Sequence, residues 1–105
     1  MEKDLAIGTR VRVRALAEWE YHEKKRTWHS SHLLNSREGF YVGYTFKQEG
    51  TLIGGRLSSY DGDYDPPYLE VSRTIRLCRI KFSARENDRF AFPADVTILK
   101  GELDV

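Results

Sequence analysis

The chain has 105 residues, of which 40% are hydrophobic and 31% are charged, and its formal net charge is +1. This length allows one hydrophobic core, the composition excludes a disordered tail, and no apolar run approaches the ~20 residues that a membrane helix needs. The single cysteine, Cys78, cannot form an internal disulfide, and the N-terminal residues lack the apolar core of a secretory signal. We therefore expect one cytoplasmic domain over residues 1–105.

The first predicted element is a half-buried strand over residues 9–15. Arginines and small apolar residues alternate there, which places the arginines on one face and the apolar side chains on the other. The two sets are Arg10, Arg12 and Arg14, and Val11, Val13 and Ala15. Residues 17–38 are more polar, and we expect them to form a long, partly ordered insert with a short helix near residues 30–36.

The next predicted element is a hairpin over residues 39–54. Its first strand would bury Phe40, Val42, Tyr44 and Phe46 and turn Tyr41 outward. Residues 47–50 would form the turn, with Gly50 free to adopt a positive φ, and residues 51–53 would return. Glycines, aspartates and tandem prolines then predict an acidic loop over residues 56–68.

The last third of the chain predicts a long strand and two short ones. Apolar residues in the segment 69–82 change from odd to even positions, which predicts a bulge or bend near Leu77 and Cys78. Residues 84–89 are typical of a hairpin turn, residues 90–92 of a returning strand, residues 93–95 of a tight turn and residues 96–99 of a final strand. The fold class is therefore all-β, a small and strongly bent antiparallel barrel of five to six strands.

Three segments carry a resemblance to SH3-like small barrels. They are "IGTRVRV" at residues 7–13, "GFYVGYTF" at residues 39–46 and "FAFPADVTIL" at residues 90–99. The pattern also resembles small uncharacterised proteins of bacteriophages and prophages, and it covers about residues 7–14, 39–54 and 69–99. This resemblance implies a cytoplasmic accessory protein without catalytic activity, and the insert at residues 17–38 departs from a minimal barrel.

Two groups of potential metal ligands are present in the sequence. Asp61, Asp63 and Asp65 have the spacing of the first calcium ligands of an EF-hand loop, but the sixth and twelfth positions are Pro66 and Ser72, so the turn and the closing ligand are missing. Three histidines (His22, His29 and His32) and the distant Cys78 could barely supply the four ligands of a tetrahedral zinc site. We expect no metal and no cofactor.

No arrangement of nucleophile and base predicts an enzyme. Ser30 and Ser31 are close in sequence to His29 and His32, but nothing indicates the rigid strand-to-helix turn that a nucleophile needs. A phosphate-binding loop is not recognisable either, because Gly54 and Gly55 lack the following Lys and Ser/Thr. We expect a non-catalytic protein without a small-molecule substrate.

Basic and aromatic side chains together suggest a surface for nucleic acid. Guanidinium groups neutralise phosphates, and aromatic rings stack on unpaired bases. The basic residues of this hypothesis are Arg10, Arg12, Arg14, Lys24, Lys25 and Arg26.

A second hypothesis, which we favour, assigns the aromatic residues to a protein partner or to a second copy of the chain. The six tyrosines are more than a small core should bury, and exposed tyrosine and tryptophan are effective interface anchors. The residues of this hypothesis are Trp19, Tyr21, Trp28, Tyr41, Tyr60, Tyr64 and Tyr68.

Overall fold

The structure is a computed structural model that describes residues 5–57 and 64–99. Within these ranges the chain forms seven strands and one turn of 3-10 helix. The strands are β1 (Arg10–His22), β2 (Lys25–Ile53), β3 (Arg56–Leu57), β4 (Tyr64–Asp65), β5 (Tyr68–Lys81), β6 (Arg89–Ala91) and β7 (Val96–Ile98), and the 3-10 turn is Pro93–Asp95.

Five of these strands form one open antiparallel sheet in the order β6-β5-β2-β1-β7, and β3 and β4 form a separate two-stranded hairpin. The predicted all-β, antiparallel character is confirmed. The hairpin turn before β6 is confirmed by the antiparallel pairing of β5 with β6. The tight turn before β7 is confirmed because the 3-10 turn joins the two edge strands of the sheet. In the part of the chain that is described, no helix has the length and apolar character to cross a membrane.

The segment predicted as a loose insert is a β-hairpin, so the expected loop over residues 17–38 and the helix near residues 30–36 are both wrong. β1 pairs with the first half of β2 as far as His22 and Lys25. The two residues between these strands, Glu23 and Lys24, have φ values of 49° and 69°. Two positive φ values in a two-residue loop are what a type I′ hairpin turn requires.

A large bulge interrupts this hairpin. Val13 pairs with Arg37 but Ala15 pairs with His32, so residues 33–36 of β2 lie opposite the single residue Arg14. Leu34, within this bulge, is 98% exposed. The bulge separates the hairpin from the part of β2 that continues into the rest of the sheet.

The second half of β2 pairs with β5, from Phe40 opposite Lys81 to Ile53 opposite Tyr68. The turn predicted at residues 47–50 is therefore wrong, because these residues lie within a continuous strand. Gly50 does not have a positive φ. It is needed for close approach instead, since a Cβ at this position would overlap the carbonyl oxygen of Glu70.

β2 is folded back on itself rather than straight. A straight strand of 29 residues would span about 90 Å. The N–H of Leu52, near its end, nevertheless donates a 2.7 Å hydrogen bond to the carbonyl of Lys24, the residue before its start. The β1–β2 hairpin therefore lies against the ribbon formed by the second half of β2 and β5.

The core consists of two clusters. The first contains Val11, Val13, Leu16, Tyr41, Ile80 and Ala91, and the second contains Ala17, Trp28 and Leu77 with the partly buried Ile75, Phe90 and Phe92. Adjacent residues of one strand divide between the clusters, as Leu77 and Cys78 do on β5 and Phe90 and Ala91 do on β6. Because adjacent side chains of a strand point to opposite faces, the clusters lie on opposite faces of the sheet.

Apolar residues on both faces of β5 explain why the apolar positions change from odd to even near Leu77 and Cys78. Leu77 belongs to the second cluster and Cys78 packs against the first. The bulge predicted there is wrong, because pairing is regular from Arg73 to Arg79 and the breaks fall at Tyr41/Gly43 and Glu49/Gly50.

The alternation predicted for β1 is confirmed, whereas the faces predicted for residues 40–46 are wrong. Val11 and Val13 are fully buried, and Arg12 and Arg14 are exposed. Tyr41, expected outside, is only 3% exposed because it packs into the first cluster. The expected core residues Phe40, Tyr44 and Phe46 are exposed.

Candidate functional site

An open groove of about 410 Å³ lies between the β1–β2 hairpin and the remaining sheet. One wall comes from the hairpin, and the other comes from the second half of β2 and from β6. The residues that line it are Ala17, Glu18, Trp19, Arg26, Trp28, Lys47, Arg89 and Phe90. Its size is within the range of sites that hold small ligands or a few side chains.

The hairpin register places two tryptophans side by side in this groove. Trp19 of β1 is directly opposite Trp28 of β2, so their side chains share one face of the hairpin. Trp28 is 7% exposed and packs with Leu77 in the second core cluster, whereas Trp19 is 50% exposed. Tyr21, two residues further along β1, contacts Trp19 edge to face, with ring centroids 5.2 Å apart. The groove thus has a buried tryptophan as its base and an exposed one at its rim.

Arg26 lies over both tryptophans. It is two residues before Trp28 on β2, so it projects from the same face. Its guanidinium carbon is 5.2 Å from the ring centroid of Trp19 and 5.8 Å from that of Trp28. Both distances are within the range of cation–π attraction.

Lys47 approaches the other side of Trp28 from the second half of β2. Its Nζ is 4.6 Å from the ring centroid of Phe90 and 5.8 Å from that of Trp28. The rings of Trp28 and Phe90 contact each other edge to face at 6.4 Å. Two cations and three aromatic rings therefore alternate across the groove.

The cations of the groove differ from most basic residues of the sheet in their electrostatic partners. Among the described residues, Arg26, Lys47 and Arg89 have no carboxylate oxygen within 4.0 Å. Seven other basic residues do have one: Arg10, Arg12, Arg14, Arg37, Arg73, Arg79 and Lys81. Glu18 is the only acidic residue in the lining, so positive charge is concentrated where aromatic surface is exposed.

Two hydrogen-bond donors in the groove lining also lack partners. Nε of Arg26 and Nε1 of Trp28 are buried without an acceptor among the described residues. Buried donors without acceptors are uncommon and each costs about 1–3 kcal/mol.

The arginines predicted to contact nucleic acid are largely neutralised. Arg10 and Arg12 share Glu38, at 2.8 Å and 3.2 Å, and Nε of Arg14 donates to Asp95 at 2.8 Å. Of the other three predicted residues, Lys24 and Lys25 are exposed at the hairpin turn, and Arg26 turns into the groove. The six residues therefore do not form one basic face.

Asp95, in the 3-10 turn, is hydrogen-bonded to the β1–β2 hairpin through Arg14 and Ser30. Its second oxygen accepts a 2.7 Å hydrogen bond from the hydroxyl of Ser30. Burial acts to raise the pKa of Asp95, but the hydrogen bonds from Arg14 and Ser30 and the positive charge of Arg14 outweigh it and lower the pKa below the ordinary value. Asp95 therefore remains ionised at neutral pH and positions both partners.

The residues predicted for protein binding are only partly brought together. Trp19, Tyr21 and Trp28 form one cluster, whereas Tyr41 belongs to the core and its predicted outward position is wrong. Tyr68 is 54% exposed at the far end of the ribbon, opposite Ile53. Tyr60 lies outside the described residues, and Tyr64 is described only as part of β4.

Three of the six cationic and aromatic residues of the groove were missed by the sequence patterns: Lys47, Arg89 and Phe90. Lys47 and Arg89 were assigned to turns, and Phe90 was treated only as part of a strand. They join the tryptophans through contacts between distant segments, for which the local pattern gives no signal. The exposed aromatic pair Tyr44 and Phe46, with centroids 5.5 Å apart, was also missed, because these residues were assigned to the core.

The described residues contain no group of three or more His, Cys, Asp or Glu that could hold a metal ion. Nδ1 of His29 is 3.7 Å from Oε1 of Glu20, and the hydroxyl of Ser30 donates directly to Asp95 rather than to a histidine. Asp61 and Asp63 of the acidic loop lie outside the described residues.

No protein-family model, no curated protein and no solved structure matches this chain.

Proposed function

We propose that this protein is a non-catalytic binding module that holds a segment of a protein partner in the aromatic and cationic groove. The observation that carries the proposal is the combination of a half-exposed Trp19 with three cations that have no carboxylate partner in the described part of the chain. Aromatic and arginine side chains in a desolvated centre contribute most of the energy of protein interfaces. Here the paired strands of the hairpin position Trp19, Trp28 and Arg26.

The arrangement of the strands supports a small SH3-like barrel as the scaffold. β6 and β7 are joined by the 3-10 turn, β7 pairs with β1, and β1 also lies close to β6. In this interpretation the β1–β2 hairpin and the β2–β5 ribbon are long extensions of the barrel, and the groove lies between the hairpin and the barrel strands. A cytoplasmic role as a phage or prophage accessory protein is proposed from the sequence resemblance alone.

Nucleic acid is the alternative partner, and the charges around the groove make it the weaker one. Exposed Trp19 could stack on a base, and the groove cations could contact phosphate. Glu18 and Glu20, however, flank Trp19 in the sequence, and the arginines of β1 are paired with Glu38 and Asp95. A phosphate backbone would therefore meet only an isolated group of cations instead of a continuous basic track.

A peptide library selected against the immobilised protein tests this function. Selected peptides should bind in fluorescence anisotropy, and Trp19→Ala should weaken them by about 2 kcal/mol, or roughly 30-fold, if Trp19 is an interface anchor. Phe46→Ala is the matched control, because Phe46 is a 60% exposed aromatic residue outside the groove. Its neighbour Lys47 faces the groove, so Phe46 projects from the opposite face of β2.

Two outcomes would contradict the proposal. One is that Trp19→Ala and Lys47→Ala leave peptide affinity unchanged. The other is that oligonucleotides bind in the same assay with a steep dependence on salt concentration, while no peptide is selected.

A further inference from the structure

We propose that the groove is occupied by the acidic segment, residues 60–68, of a second copy of this chain. This inference rests on the proposed function, because it names the partner of the same groove. It commits to self-association, in which the end of the β2–β5 ribbon of one molecule enters the hairpin groove of another.

The acidic segment is the most negative part of the chain. No Lys, Arg or His lies between Arg56 and Arg73, and this stretch contains Asp61, Asp63, Asp65 and Glu70. Three tyrosines accompany the aspartates: Tyr60, Tyr64 and Tyr68. The segment therefore combines carboxylates with aromatic rings.

The groove offers the complementary groups. Arg26, Lys47 and Arg89 have no carboxylate partner within the described residues, and three aspartates match them in number. Tyrosine rings pack favourably against exposed indole and phenyl rings, and carboxylates form charge-assisted hydrogen bonds with arginine and lysine. Complementary charge of this kind directs association and register.

The ribbon separates the start of the acidic segment from Lys47 within one molecule. Lys47 lies in the groove, and β2 stays paired with β5 for six more residues, to Ile53 opposite Tyr68, with one irregularity between Glu49 and Gly50. This carries the start of the acidic segment about 20 Å beyond Lys47. After β2, the β3–β4 pairing of Arg56 with Asp65 forms a separate short hairpin. The acidic segment of a second molecule can reach Lys47 without this separation.

Paired variants test this inference by light scattering after size exclusion and by sedimentation. The wild-type chain should self-associate at about 100 µM and low salt, and association should weaken as salt screens the charges. Asp61→Asn/Asp63→Asn/Asp65→Asn removes the acidic charge, and Arg26→Glu/Lys47→Glu reverses the groove. Each variant should raise the dissociation constant at least about tenfold.

Mixing provides the sharper result. The groove variant still has an intact acidic segment, and the segment variant still has an intact groove. A one-to-one mixture should therefore regain one groove–segment contact and form a heterodimer that neither variant forms alone. Circular dichroism of each variant verifies that its sheet is intact, and Glu38→Gln, outside the groove, is the control that should leave association unchanged.

Three results would overturn the inference: a monomeric wild-type chain, self-association unaffected by the three Asp→Asn changes, or a mixture that behaves as its separate components. If the wild-type chain is monomeric while selected peptides still bind at Trp19, self-occupancy is wrong and the proposed function stands. If selected peptides also fail to bind, both are wrong.

Discussion

The backbone N–H of Trp28 donates a 2.7 Å hydrogen bond to Oε2 of Glu49, which lies 21 residues later in the same strand. The other oxygen of Glu49 accepts from Nε of Arg73 at 2.9 Å and lies 2.7 Å from its Nη2. Glu49 is only 8% exposed. One buried carboxylate thus joins the β1–β2 hairpin, the second half of β2 and β5, and holds the two walls of the groove together.

We expect Glu49→Ala to destabilise the protein by about 3 kcal/mol, because it leaves the N–H of Trp28 and the charge of Arg73 without their partner. Urea denaturation followed by tryptophan fluorescence measures this loss. Glu38→Ala is the control, since Glu38 pairs with two arginines at the surface and should cost less than about 1 kcal/mol. Equal losses for the two variants would contradict the role given to Glu49.

The hairpin turn should be improved by glycine. Lys24 has a φ of 69°, a conformation that costs a residue with a side chain about 1 kcal/mol or more and costs glycine little. We expect Lys24→Gly to raise the free energy of unfolding by about 1 kcal/mol. Lys25→Gly makes the same change of charge one residue later, within β2. We expect it to lower the free energy of unfolding by about 0.5–1 kcal/mol. Thermal unfolding compares the two, and a loss of stability in Lys24→Gly would argue against the turn.

Gly50 should not tolerate even alanine. Its Cβ would overlap the carbonyl oxygen of Glu70, which belongs to the backbone of the paired strand and cannot rotate away. We expect Gly50→Ala to cost about 3 kcal/mol, at the upper end of the cost of overpacking. Gln48→Ala, at an exposed position of the same strand, should change the melting temperature little. A neutral Gly50→Ala would mean that β2 and β5 are further apart than the register implies.

Asp95 should make stability dependent on pH in acid. The pKa of Asp95 is lowered in the folded protein. Its contribution to the free energy of unfolding is therefore fully present above the ordinary aspartate pKa of about 4, and it is lost as the pH falls through the pKa of the folded state. Asp95→Asn should therefore cost about 1–3 kcal/mol at pH 7, and the difference from wild type should shrink below about pH 4.

Urea midpoints between pH 7 and pH 2.5 measure this dependence. The control is Glu86→Gln, because hydrogen bonds from Arg37 and Ser83 also lower the pKa of Glu86 but this carboxylate is exposed to solvent and its effect should be smaller. A cost of Asp95→Asn that stays constant across this range would contradict the ionised state.

Local patterns in the sequence were sufficient where the structure depends on neighbouring residues. The alternation of Arg12 and Val13 predicted the first strand, and the prolyl turn at Pro93 was also predicted. Both depend on constraints within a few residues, namely the pleat of a strand and the fixed φ of proline. Trp19, Tyr21 and Trp28 were named as binding residues but were assigned to a loose insert, and the hairpin register is what brings them together.

The hairpin and the groove could not be predicted in this way. The turn at Glu23 and Lys24 lacks the Asn or Gly that usually marks a two-residue hairpin loop, so the segment looked like an insert. Phe90 meets Trp28 only because the hairpin folds back on the sheet, and Glu49 sets that arrangement over a long separation in sequence. Tyr41 is buried for a related reason, since contacts from β1, β5 and β6 decide which face of β2 is covered.

The four-residue bulge opposite Arg14 leaves the chain a position where its length can change. Leu34 is almost fully exposed, and the pairs on either side of the bulge, Val13 with Arg37 and Ala15 with His32, fix the register independently. Because loop closure becomes only slightly harder as residues are added, an epitope or a fluorescent label inserted after Leu34 should be accommodated. Such a label would report on molecules in a cell extract without altering either wall of the groove.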